Sequence, residues 1–234
     1  MTEKHITLGI AQLQRDALFT SSDTKLERPE LAADIKQKIL ERDDHRCGFC
    51  SFKSEKYQDV TALDSNIMNT KLDNLVTSCI FCQQCFDLEK VAQMRSGVLV
   101  WMPEIEQAEL HHIARAIYVA RISQGSMADT AKKLLEVIMK RRTDAQARIH
   151  TDDPNVMAMV MRDFLGKKSY AMRDKKLDGI RLFPLDRRII KEGDLEFNQF
   201  PQILAYWRSK KGPFGGKIPN QWKNYYAEIN QKVA

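Results

Sequence analysis

No apolar run in the 234-residue chain approaches the roughly 18 residues that a membrane-spanning helix needs. Insertion of the chain into a bilayer is therefore not expected. The opening segment, MTEKHITLGIAQ, lacks a basic stretch followed by an apolar core, so no secretory leader is expected. There is no internal repeat and no low-complexity tract, which removes repeat arrays from consideration. A phosphate-binding loop is missing as well. Gly212-Pro213-Phe214-Gly215-Gly216-Lys217 has the wrong spacing, and Ile218 stands where a Ser or Thr must ligate magnesium. That stretch reads as a tight turn displaying Phe214. Cysteine is sparse and odd in number, five in all. Four of the five form two Cys-x-x-Cys pairs, a usage that points to metal rather than disulfides and to a reducing compartment, the cytoplasm.

The hydrophobic content of 43% suits a globular chain with a real core, and the length suits one or two domains. The formal charge of +6 conceals a division. Residues 1–124 carry 15 Lys and Arg against 18 Asp and Glu, while residues 125–234 carry 22 against 13. A polyanion would be drawn to the second half if to either. The plainer reading is that these cations decorate solvated helix faces.

Along the chain, Ile6, Leu8 and Ile10 alternate with polar or small residues and suggest a short strand. Thr20 to Lys25 reads as a loop, and Pro29 opens a helix whose stripe is Leu31, Ile35 and Ile39, ending near Asp43 and Asp44. Tyr57 to Leu63 suggests a strand, Asp64 to Asp73 a turn region, and Phe81 to Met94 a helix. Val98 to Trp101 is an apolar segment that ends at Pro103, after which the chain reads as helical. A helix spans Glu104 to Ser123. The next is opened by a Ser126/Asp129 capping pair, buries Ala131, Leu134, Leu135 and Ile138, and stops on Lys140-Arg141-Arg142. A third starts at Asp153-Pro154 with Val156, Met157, Val160 and Phe164 inside and Gly166 as its stop. Ile180 to Ile190 mixes apolar and basic residues. Phe200 to Trp207 and Pro219 to Ile229 are short aromatic-rich helices, with Trp222, Tyr225, Tyr226 and Ile229 on one face. The expected class is α+β, mostly helical. Residues 1–102 form a cysteine-bearing module, and residues 103–234 a helical extension with a basic, aromatic-rich end.

Zinc takes four soft or borderline ligands in a tetrahedron, and a Cys-x-x-Cys turn points two sulfurs at one ion. Cys47/Cys50 and Cys79/Cys82 make two such turns, separated by 28 residues. That gap exceeds the roughly 15–20 of a zinc ribbon, so a folded excursion is expected between the pairs. Because Cys79, Cys82 and Cys85 are evenly spaced, Cys82/Cys85 is an alternative second pair, and His45 an alternative ligand. His111 and His112 are adjacent, do not share a helix face, and read as ordinary helix residues.

The stretches Arg42-Asp43-Asp44-His45-Arg46-Cys47-Gly48-Phe49-Cys50 and Asn74-Leu75-Val76-Thr77-Ser78-Cys79-Ile80-Phe81-Cys82 resemble an HNH-type module. The resemblance implies a ββα-metal fold with a four-cysteine structural zinc. It also implies a register, because Asn-Leu stands five residues before the third cysteine in that family, as Asn74 does before Cys79. Cys47, Cys50, Cys79 and Cys82 are then the ligands, and Cys85 is spare. The same resemblance argues against cleavage. An HNH nuclease needs a general-base His at the end of a strand and a second His after the last zinc cysteine. Here the strand end reads Ala62-Leu63-Asp64-Ser65, Gln83 follows Cys82, and no histidine lies between His45 and His111. Of that pattern only Asn74 is present, with a plainer role in tying the loop to the backbone.

The C-terminal string Phe200-Pro201-Gln202-Ile203-Leu204-Ala205-Tyr206-Trp207-Arg208-Ser209-Lys210, with Gly212-Pro213-Phe214-Gly215 and Pro219-x-x-Trp222, is similar to the DotN (IcmJ) family of Dot/Icm type IVB secretion systems. The resemblance implies a non-catalytic, zinc-containing cytoplasmic protein, peripheral to the inner membrane through its partners. Those partners are the C-terminal tail of the coupling ATPase DotL and other coupling-complex subunits, with no nucleic acid, and the role is support of effector export. Tyr206, Trp207, Arg208, Phe214 and Trp222 are the candidate contacts, since aromatic residues and arginine dominate interface hot spots. The plainer alternative packs Trp207 against Trp222 in the core. Two competing functions are a nuclease holding magnesium on Asp64, Asn74 and Asp87, and a nucleic-acid-binding module using the basic half.

Overall fold

The computed structural model describes residues 4–11 and 31–233. The expected loop at Thr20–Lys25 and the helix start at Pro29 lie outside the described residues. The architecture is α+β, about half helical, with three two-stranded antiparallel sheets among the described residues. Among the described residues no helix is long and apolar enough to cross a membrane.

Residues 4–11 form no strand and pair with none among the described residues. The Gly9 N–H donates to Cys85 O at 2.8 Å, and Leu88 N–H donates to Gly9 O at 3.0 Å. The alternation in the sequence is real, since Leu8 and Ile10 are buried, but the surface they face is a helix junction rather than a sheet edge. Helix α1 (Ala33–Arg42) buries Ile39 and Leu40 against Val60, Ala62 and Leu75. Strands β1 (Gln58–Ala62) and β2 (Leu75–Cys79) pair with Gln58 opposite Cys79. Strand β2 runs directly into α2 (Ile80–Cys85). The expected single helix over 81–94 is in fact two. Asp87 breaks it and caps α3 (Leu88–Gln93) by accepting from Lys90 N–H.

Strand β3 (Gly97–Trp101) pairs with β4 (Ile180–Pro184), Leu99 opposite Leu182. Between them in sequence lie α4 (Gln107–Arg121), α5 (Ser126–Ile149), α6 (Pro154–Asp163) and the short α7 (Lys167–Ala171) and α8 (Arg173–Lys176). One core cluster joins both parts of the chain, from Cys47, Phe49 and Phe81 to Tyr118, Phe183, Phe200 and Trp207.

Five expectations for these helices fail. Helix α5 does not stop at 140–142. Arg141 pairs with Glu104 and Arg142 with Asp152, and the helix continues past buried Ala145 to a left-handed cap at His150. Its start is not capped by Ser126 and Asp129. Gly125 is the cap, and the free Met127 N–H is taken by Asn220 Oδ1, 93 residues away. In α6 the buried face is Met157, Ala158 and Met161. Val156, Val160 and Phe164 point outward, and Phe164 is 77% exposed. Gly166 caps the start of α7 rather than stopping α6. On α5, likewise, Leu134 is exposed.

The end of the chain forms a hairpin of β5 (Ile189–Glu192) and β6 (Leu195–Asn198), then α9 (Phe200–Arg208), a 3-10 turn at Pro219–Gln221, and α10 (Trp222–Val233). Phe200, Ile203, Leu204 and Trp207 recur at helical spacing and are the buried face of α9.

Candidate metal centre

Two short turns build the centre. After α1 the chain takes left-handed backbone at Asp44 and His45, which swings it into the first Cys-x-x-Cys turn. Gly48 is required there, because a Cβ on it would lie 2.4 Å from Val76 Cγ2 of β2. The close approach lets Gly48 N–H donate to Thr77 O at 2.9 Å, locking the first turn onto β2. The second turn is the strand-to-helix junction itself. Cys79 ends β2, and its sulfur accepts from Cys82 N–H at 3.4 Å.

Together the turns bring Cys47, Cys50, Cys79 and Cys82 into one buried cluster, with all four sulfurs within 4.8 Å of one another. All five cysteines are unbridged. The Cys50 and Cys79 sulfurs are 3.7 Å apart. A zinc tetrahedron with arms of about 2.3 Å has edges of about 3.8 Å, so the cage fits one ion of that size. Cys85 stands outside the cluster. It is fully buried, and its thiol donates to Phe81 O at 3.7 Å. Among the described residues no other group of three or more potential ligands is assembled.

Helix α4 closes the centre from the other side. Contrary to the expectation that the two histidines are ordinary helix residues, His111 and His112 lie against the cysteine turns, as does Arg115. His111 is fully buried, with Nδ1 3.3 Å from Cys82 Sγ. Burial and the nearby Arg115 charge push its pKa down to about 3, so it is a neutral imidazole. His112 Nε2 lies 2.7 Å from Cys50 O. Arg115 is 1% exposed and sends Nη2 to Cys79 Sγ at 2.7 Å and to Cys50 Sγ at 3.6 Å. Its guanidinium lies over the rings of Phe52 and Phe81, at 4.0 and 5.1 Å from their centroids. Its Nε and Nη1 have no partner. Burial pushes the Cys79 thiol up, but its hydrogen bond with Cys47 and the Arg115 charge outweigh this and hold it below the usual thiol range. The available signal for these residues is polar side chains at 107, 111 and 115, i, i+4 and i+8, on a helix face otherwise as apolar as Leu110, Ala114 and Tyr118.

The residues of the nuclease alternative, Asp64, Asn74 and Asp87, make local hydrogen bonds. Asn74 accepts from Asp64 N–H at 3.0 Å and donates to Asn69 O at 2.8 Å. Asp64 accepts from Asn66 N–H and Asn69 Nδ2, and Gln83 donates to Asp59. Asp87 serves as a helix cap.

The five aromatic and basic candidates are split by the fold. Trp207 is 1% exposed and wedged among Phe52, Phe81 and Phe200, so it supports a surface and does not form one. Among the described residues its ring partners are those three and not Trp222. Trp222 stacks on Phe214 at 5.9 Å, both half-buried. Tyr206 is half-buried against Tyr57 with Lys56 over its ring, and Arg208 is exposed. Tyr226 and Ile229 on α10 are exposed, at 68% and 56%.

No protein-family profile matches the chain. The type 4 apparatus protein DotN of Legionella pneumophila subsp. pneumophila, strain Philadelphia 1, is 33% identical over 160 residues, which span 67% of this chain and 74% of its own. With that identity over that share of both sequences, the chain belongs to the DotN family.

Proposed function

We propose that Cys47, Cys50, Cys79 and Cys82 hold one structural zinc ion. Built around it, the chain is a non-catalytic adaptor of a type IVB secretion coupling complex. In this reading it is cytoplasmic, binds the C-terminal tail of the coupling ATPase DotL beside other coupling-complex subunits, and supports effector export. The secretion role is carried by the likeness to a protein named as a type 4 apparatus component. The zinc reading is carried by Arg115, a buried cation whose Nη2 lies 2.7 Å from Cys79 Sγ and 3.6 Å from Cys50 Sγ and which, among the described residues, forms no ion pair with a carboxylate. Four neutral thiols would leave that charge uncompensated in the core, a situation that costs several kcal/mol. Four thiolates around a divalent ion carry a net charge of about −2 and suit it.

Zinc would supply a cross-link between two turns of the chain. With four cysteine ligands it keeps no open position for water, which favours a scaffold over a hydrolytic centre. The partner surface is best sought around Tyr206, Arg208, Phe214 and Trp222, with Trp207 beneath it.

One sample tests both halves of the reading. The chain is co-expressed with the DotL tail, purified by size exclusion, and analysed for metal. Co-elution with one zinc per chain is expected. A chain that carries zinc and elutes alone overturns the partner. Iron in place of zinc overturns the metal, since a tetrahedral four-sulfur cage also accepts iron. Plasmid incubated with the chain and magnesium is expected to stay intact, and cleavage abolished by Asn74→Ala overturns the non-catalytic reading.

A further inference from the structure

The face of α4 turned toward the sulfurs carries a connected polar chain. Gln107 anchors it to β4. Its Oε1 accepts from Leu182 N–H at 2.8 Å, and its Nε2 lies 2.8 Å from both Leu182 O and His111 Nε2. Only the amide oxygen can accept the Leu182 N–H, so the backbone fixes which way this amide points. Both hydrogens on Nε2 then face acceptors. His111 Nε2 must therefore hold the lone pair, which places the ring proton on Nδ1, 3.3 Å from Cys82 Sγ. Cys85, 3.8 Å from the same Nε2, directs its thiol to Phe81 O instead. One turn further along α4, Arg115 reaches Cys79 and Cys50.

We propose that Gln107, His111 and Arg115 are positioning residues of the metal centre. They aim two N–H···S contacts at Cys82 and Cys79 and bind the cage to the β3–β4 sheet. This rests on the zinc reading above. The physical reason is charge. A zinc ion with four thiolates is about −2 in a buried site, and each donor withdraws density from a sulfur that would otherwise be protonated or lost. Arg115 brings the cluster to about −1. Gln107 touches no sulfur and acts only by holding the imidazole tautomer, as outer partners of metal-ligating groups do.

The test uses the full chain and its His111→Leu, His111→Asn, Gln107→Leu and Arg115→Met variants. Two quantities are read: zinc retention against a chromogenic chelator, and the sulfur-to-cobalt charge-transfer band after cobalt substitution. His111→Leu and Gln107→Leu are expected to weaken zinc binding about 10–100-fold, the usual cost of losing an outer partner. Their band is expected to move to lower energy, because a sulfur without its N–H donor is easier to oxidise. His111→Asn keeps a donor near the Nδ1 position and should recover most of both effects. A role in packing alone leaves the band where it is. Unchanged affinity and an unmoved band in both leucine variants overturn the proposal. A wild-type chain that binds no metal overturns instead the zinc reading beneath it. Arg115→Met should lose the most zinc; if it fails to fold, the Gln107 and His111 variants decide the matter.

Discussion

Replacing Trp207 with alanine separates a core residue from a contact residue, because its neighbour Arg208 is exposed while Trp207 is 1% exposed. A tryptophan buries roughly 150–250 Å², which at about 25 cal/mol per Å² corresponds to about 4–6 kcal/mol. Truncations of this kind cost about 3–5 kcal/mol once partial collapse of the cavity is included. The site should collapse poorly. Phe52, Phe81 and Phe200 all meet the indole edge-on, at 5.7, 5.5 and 6.0 Å, and these rings have other partners. One term opposes the loss. The indole Nε1 is buried without a hydrogen bond, so removing it relieves about 1 kcal/mol. The net expectation is destabilisation of about 2–4 kcal/mol, read as a fall in melting temperature of roughly 5–15 °C at this chain length. Arg208→Ala should move the melting temperature by less than about 2 °C, as surface substitutions do. A Trp207→Ala protein that melts like the parent but loses its partner would refute the burial argument and return Trp207 to the binding surface.

Metal analysis of cysteine variants follows from the cage geometry. Cys79→Ser should lose the ion and much of its solubility, while Cys85→Ser should keep it. Retention in Cys79→Ser would favour the Cys82/Cys85 pairing. Asn74→Ala removes two loop hydrogen bonds and should cost about 1–2 kcal/mol in denaturant unfolding. Acid unfolding should depend on Asp43. Burial pushes its pKa up, but hydrogen bonds from Arg42 and Thr77 outweigh this and leave the carboxyl below the usual carboxylate range. Its contribution is therefore present above the unfolded value of 3.8 and is lost as pH falls through the lower folded value. Asp43→Asn should flatten the stability curve in that window, and an unchanged curve would mean that the Asp43 bridge from α1 to β2 carries no weight.

The sequence by itself determined the features that depend on near neighbours. The two Cys-x-x-Cys turns, the α1 stripe ending at Arg42, the strand at 58–62 and the amphipathic α9 are encoded in spacings of two, three or four residues. Local backbone and side-chain geometry enforces those spacings wherever the segment lies. What faces each element was decided only in three dimensions. Helix α6 carries apolar residues on more than one face, so its period fits two orientations, and packing chose Met157 and Met161 over Val160 and Phe164. The Arg141 and Arg142 pair looked like a helix end until Glu104 and Asp152 took up the charges. Arg115 and Cys79 are 36 residues apart, and His111 and Cys82 are 29 apart, distances at which no periodicity connects them. Burial is a property of two surfaces meeting, and a sequence pattern describes one of them. The cysteines and the helix over 107–121 were therefore legible from the start, while the meeting of the two was decided only when the chain closed.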